Sequence, residues 1–77
     1  ETSMIVQIHP DIDTEKTNRH IFECTSIHHT QSKKEGLSII LHSNEKVVLK
    51  ADYAPDRSVV IYVLEGGKTV DVIRSNY

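Results

Sequence analysis

Residues 58–74 read Ser-Val-Val-Ile-Tyr-Val-Leu-Glu-Gly-Gly-Lys-Thr-Val-Asp-Val-Ile-Arg, and this stretch decides the fold class. Two β-branched runs flank the pair Gly66-Gly67. Glycine accepts positive φ without steric cost, so the pair fits a two-residue I′ or II′ turn joining antiparallel strands. Regular pairing outward from that turn sets Val63 opposite Val70 and Ile61 opposite Val72. All four then share one face, expected to be the core face.

Working back along the chain, residues 46–53 and 37–42 repeat the pattern. A two-residue loop at Asn44-Glu45 would place Ile39 opposite Lys50 and spoil the apolar face. A three-residue loop, with Asn44 in the left-handed region, pairs Leu41 with Val47, Ile39 with Leu49 and Leu37 with Ala51. Pro55 suits the first central position of a type I turn, which lets Ala51 face Ile61. These registers predict a C-terminal four-stranded antiparallel meander. Its inner face reads Leu37, Ile39, Leu41, Val47, Leu49, Ala51, Val59, Ile61, Val63, Val70 and Val72.

The N-terminal third is less regular. Residues 4–9 alternate, with Met4, Val6 and Ile8 on one side, and the strand ends at Pro10. Residues 10–18 are polar and read as a loop. Residues 19–29 fit a strand with a β-bulge near Thr25 or Ser26, which would bring Phe22, Cys24 and Ile27 to one side. Residues 30–36 read as a solvated loop. The fold expected is all-β: the meander plus one or two N-terminal strands, forming a small barrel, roll or sandwich.

Composition agrees. Nine Ile, eight Val and six Thr stand against two Ala and four Leu, and β-branched side chains suit a pleated surface better than a helix. Seventy-seven residues make a single domain, residues 1–77; a chain of this size buries only about 60% of its unfolded surface and is marginally stable alone. Glu1-Thr2-Ser3 ahead of Met4 fits either a cloning remnant or a trimmed N-terminus. The lone Cys24 forms no internal disulfide, so a reducing compartment is expected, with cytoplasmic the default.

No apolar run approaches a bilayer span, so no membrane insertion is expected. The net charge of −2, with both signs interspersed, offers no field for nucleic acid. A single-strand binder would need stacking aromatics in a basic groove. The candidates here are Phe22, Tyr53, Tyr62 and Tyr77 with Lys33, Lys34, Lys46 and Lys50, a weak constellation. This nucleic-acid reading is the alternative.

Metal binding through the histidines is a third reading. Of His9, His20, His28, His29 and His42, His20 and His28 would share one strand face with Cys24 if no bulge intervened. On a strand, i and i+4 lie about 13 Å apart, too far to share one ion. No metal site and no cofactor is therefore expected. A nucleophile elbow, P-loop and dinucleotide fingerprint are all missing. A domain this small also leaves little room for a pocket of a few hundred Å³, so no enzyme activity is expected.

The outer face of the meander is the most informative feature. Ile40 is expected to pair with Val48, and Val60 with Ile73, with Tyr62 and Leu64 alongside. A sheet with water on one side should alternate more cleanly. Either residues 10–36 fold over this row, or it is an association patch. The second reading makes the protein a non-enzymatic interaction or regulatory module with a protein partner, self-associating as a homodimer. Its candidate surface is Ile40, Val48, Val60, Tyr62, Leu64 and Ile73. Open sheet edges offer strand pairing as the mode of association.

Overall fold

The computed structural model describes residues 3–10 and 20–75 and contains only strands and turns among them. No helix of the described residues is long and apolar enough to cross a membrane. Seven strands follow in order: β1 (Met4–Pro10), β2 (His20–Cys24), β3 (Ser26–Ser32), β4 (Gly36–Ser43), β5 (Lys46–Tyr53), β6 (Val59–Glu65) and β7 (Lys68–Ser75). They form two antiparallel sheets, a four-stranded one ordered β2-β1-β6-β7 and a three-stranded one ordered β3-β4-β5. The fold is all-β, as expected.

One core lies between the sheets. The four-stranded sheet contributes Val6, Ile8, Cys24, Val59, Ile61, Val63 and Ile73, and the three-stranded sheet Leu37, Ile39 and Leu41. Met4, Phe22, Ile27, Leu49, Ala51 and Tyr53 pack around it. Alternation therefore located the inward side of β1 correctly. It also brought Phe22, Cys24 and Ile27 to one side, although the device is a corner rather than a bulge. At Thr25 the chain leaves one sheet and enters the other.

Thr25 holds that corner with three bonds. Its amide donates to the His42 carbonyl at 2.7 Å, and its hydroxyl reaches the same oxygen at 3.3 Å. The hydroxyl also accepts the Asn44 amide at 2.8 Å. Asn44 has φ 60, the left-handed conformation expected of it. A β-branched residue suits the extended backbone on both sides of the bend, and its hydroxyl satisfies the Asn44 amide.

The meander does not form. β5 and β6 lie in different sheets, and β6 pairs with β1 and β7. The turn at Pro55 is present, with the Arg57 amide on the Ala54 carbonyl at 3.0 Å. It carries the chain between sheets instead of folding it into a hairpin. Ser75, itself buried, anchors this connection by donating to the Arg57 carbonyl at 2.6 Å. β6 is apolar on both faces and so takes the centre of a sheet, where neighbours on each side satisfy its backbone.

Two bulges correct the registers. Gly66 and Gly67 have φ 62 and 80, so the two-residue turn of the I′ pattern is as expected. Beyond Leu64–Thr69, however, β7 takes up Val70 as an extra residue, and Ile61 faces Ile73 rather than Val72. Each bulge residue reverses which side later residues face. Val70 and Val72, expected inside, are 54% and 38% exposed, while Ile73, expected outside, is buried. In the other hairpin a two-residue turn joins Ser43 to Lys46, and Val48 is the extra residue. Turn plus bulge has the parity of the three-residue loop, so Leu49 and Ala51 still face inward, now opposite Leu41 and Ile39. Val47, expected inside, lies beyond the bulge and is 59% exposed.

Residues 30–32, expected in a loop, continue β3 as far as the turn at residues 33–35. Gly36 (φ 88) opens β4 where the backbone of Tyr53, Ala54 and Pro55 passes against it. The loop expected over residues 10–18 begins at Pro10, the last residue of β1; residues 11–18 lie outside the described residues.

Candidate functional site

The outward face of the four-stranded sheet is the most apolar surface that the registers assemble. Its middle row runs Ile21, Gln7, Tyr62, Val72 across β2, β1, β6 and β7. The row toward the Gly66-Gly67 turn runs Glu23, Ile5, Leu64, Thr69, and the row on the other side runs His9, Val60, Arg74. Ile21 is 53% exposed, and Val70 and Val72 add open apolar surface at the β7 margin. The His9 ring meets Tyr62 edge to face with centroids 5.2 Å apart. Its Nε2 is shut off from solvent without a hydrogen-bond partner among the described residues.

Of the residues expected to form an interaction surface, Val60, Tyr62 and Leu64 share this face on β6. Ile73 does not: the Val70 bulge turns it into the core. Ile40 and Val48 belong to the other sheet, where Ile40 lies opposite Lys50 and Val48 is the bulge residue, so the expected Ile40–Val48 pair is not made. Ile5 and Ile21 were missed. The alternation of β1 and β2 places both residues outward, but nothing local shows that those strands join β6.

The free edges differ from the face. On β7 the Val72 amide donates to the Asp71 carboxylate at 2.9 Å, and the Arg74 carbonyl accepts from the Gln31 side chain at 3.1 Å. Both β7 and β5 carry bulges, which twist an edge away from flat pairing with another chain. Strand addition, the mode expected from the sequence, meets these obstacles on β5 and β7, while β2 and β3 form the other two edges.

Between the other margins of the sheets lies an open cleft of about 330 Å³, lined by Ile8, His20, Phe22, Leu49 and Tyr53. Its volume reaches the lower end of the range for ligand sites, against the expectation that so small a domain leaves little room. Desolvation raises the Tyr53 hydroxyl above its ordinary pKa, and the nearby Arg57 charge offsets this in part. The lining is mainly hydrocarbon, and His20 is its only imidazole. A broader hollow of about 610 Å³ lies against the turn of residues 43–48.

Cys24 is buried, and burial pushes its thiol up from the ordinary value, partly offset by a hydrogen bond with the Ser26 backbone. A neutral, enclosed thiol is a poor nucleophile. Among the described residues no three His, Cys, Asp or Glu side chains converge on a metal position. His28 and His42 pair edge to face on the three-stranded sheet, centroids 5.8 Å apart. The aromatic and basic residues are scattered likewise. Phe22 and Tyr53 line the cleft, Tyr62 sits on the opposite side of its sheet, and Lys46 and Lys50 belong to β5 of the other sheet. Tyr77 lies outside the described residues.

Comparison of the chain with protein-family models, with curated proteins and with solved structures found no match in any of the three.

Proposed function

We propose that this is a non-enzymatic interaction module whose working surface is the outward face of the four-stranded sheet. The observation that carries the reading is the run of Ile5, Ile21, Val60, Tyr62, Leu64 and Val72 on one side of four paired strands. Water against such a face is costly, at about 25 cal/mol per Å² of apolar surface, and a protein partner removes it. At β5 and β7 the bulges, and on β7 the side-chain bonds, favour contact through the face over strand addition. A regulatory role belongs to the same reading, as does a reducing, cytoplasmic setting, with which a lone, buried, unpaired Cys24 agrees.

The test is site-specific photocrosslinking. A photoreactive residue at Val72 should form a discrete protein adduct in host cells that is lost when Tyr62→Asp is added. The same residue at Lys50, on the other sheet, should not. Adducts from Lys50 alone, or identical adducts from both positions, would remove the basis of the proposal.

A further inference from the structure

The partner of this face follows from where its charges lie. Among the described residues that the registers place on it, two are ionic, Glu23 on β2 and Arg74 on β7. They occupy opposite corners. Three strand spacings of about 4.8 Å and four residues of about 3.4 Å separate them, so the diagonal runs at about 45° to the strands and spans about 20 Å.

We infer that a second copy of this chain docks face to face on this sheet, about a two-fold axis lying in the interface and perpendicular to that diagonal. The inference rests on the interaction-module reading above and gives it a partner. Rotation by half a turn about such an axis exchanges the two corners. Glu23 then meets the second copy's Arg74, and Arg74 meets the second copy's Glu23. An isologous contact makes both pairs at once, because each copy presents the same patch. An axis at about 45° to the strands makes the strands of the two copies cross at close to 90°, one of the two ways in which sheets pack. The corner of β7 carrying Thr69 and Val70 lies on the axis and meets its own counterpart. Tyr62, near the centre of the face, is enclosed with Gln7 and Ile5. An axis parallel to the strands would instead set Glu23 opposite the second copy's uncharged Thr69.

Area sets the strength. Four strands of about seven residues give a flat face of about 450 Å² per copy, about 900 Å² in all. That lies at the reversible end of interface sizes, below the range of permanent assemblies. The dimer is therefore weak and concentration-dependent.

Sedimentation velocity over a concentration series of the full chain tests this, with circular dichroism confirming that each variant folds. The wild type should pass from monomer to dimer as concentration rises. Glu23→Arg and Arg74→Glu should each weaken the dimer by about five- to thirtyfold, since each turns two attractive pairs into two repulsive ones. The double variant should recover most of the wild-type affinity. Should a reversed variant fold poorly, Glu23→Gln and Arg74→Gln serve in its place, each with a smaller loss. A wild type that stays monomeric at the highest concentration overturns the inference. A dimer lost on Tyr62→Asp but indifferent to both charge reversals overturns this geometry and leaves the interaction reading standing. A dimer lost on Val47→Asp instead, with Tyr62→Asp silent, overturns both.

Discussion

Replacing Gly36 by alanine puts a methyl group where the end of β5 crosses the start of β4. The added Cβ would collide with the Tyr53 carbonyl oxygen and stand 2.9 Å from both the Ala54 carbonyl carbon and the Pro55 nitrogen. All three are backbone atoms, so no side chain can swing aside. The backbone at Gly36, at φ 88, adds about 1–2 kcal/mol for any residue with a Cβ. Displacing packed neighbours adds about 1–3 kcal/mol. The expected loss is therefore about 2–5 kcal/mol, against a total stability of about 4–12 kcal/mol for a chain of this length. Gly66→Ala separates the two causes, because Gly66 has φ 62 but nothing within 4 Å of an added Cβ. It should cost only the backbone part, about 1 kcal/mol. Urea unfolding reads both: at about 1 kcal/mol per molar, the Gly36→Ala midpoint should fall by about 2 M or more, and that of Gly66→Ala by about 1 M. Equal losses within about 0.5 kcal/mol would mean that the Tyr53–Pro55 backbone does not press on Gly36, and the reasoning would fail.

Thr25→Val keeps the shape of the corner but loses the hydroxyl that accepts the Asn44 amide; it should cost about 1–2 kcal/mol by thermal or urea unfolding, while Thr25→Ser costs less. Cys24 should resist thiol reagents in the native protein and react only as fast as the fold opens, since it is buried; rapid labelling without unfolding would contradict its place in the core. Burial raises both the Cys24 thiol and the Tyr53 hydroxyl. The unfolded chain then releases those protons first. Stability is full below the unfolded values of about 8.5 and about 10, and falls as pH rises through the higher folded values. Urea midpoints at neutral and alkaline pH should show this decline, shallower in Tyr53→Phe; a midpoint that rises with pH would reverse the assignment.

Much of the architecture was readable along the chain because it depends on neighbours. The Gly66-Gly67 turn, the left-handed Asn44, the Pro55 turn and the inward sides of β1 and β4 all follow from local chemistry and a period of two. Where the reading failed, the cause was an event that carries no local mark. Val48 and Val70 are bulge residues, yet each looks like any other valine in an apolar run. On β7 the single insertion was enough to exchange Val72 for Ile73 at the core.

The candidate site was half visible for the same reason. Val60, Tyr62 and Leu64 showed themselves as an apolar row on the wrong side of a core strand. Ile5 and Ile21 joined them through the β1–β6 pairing, between strands about fifty residues apart in the chain. Periodicity states which side a residue faces within its own strand but not which strand lies beside it. That choice belongs to the assembled molecule. β6 has two apolar faces and needs backbone partners on both edges, and β1 meets the need only once the whole chain has closed around one core.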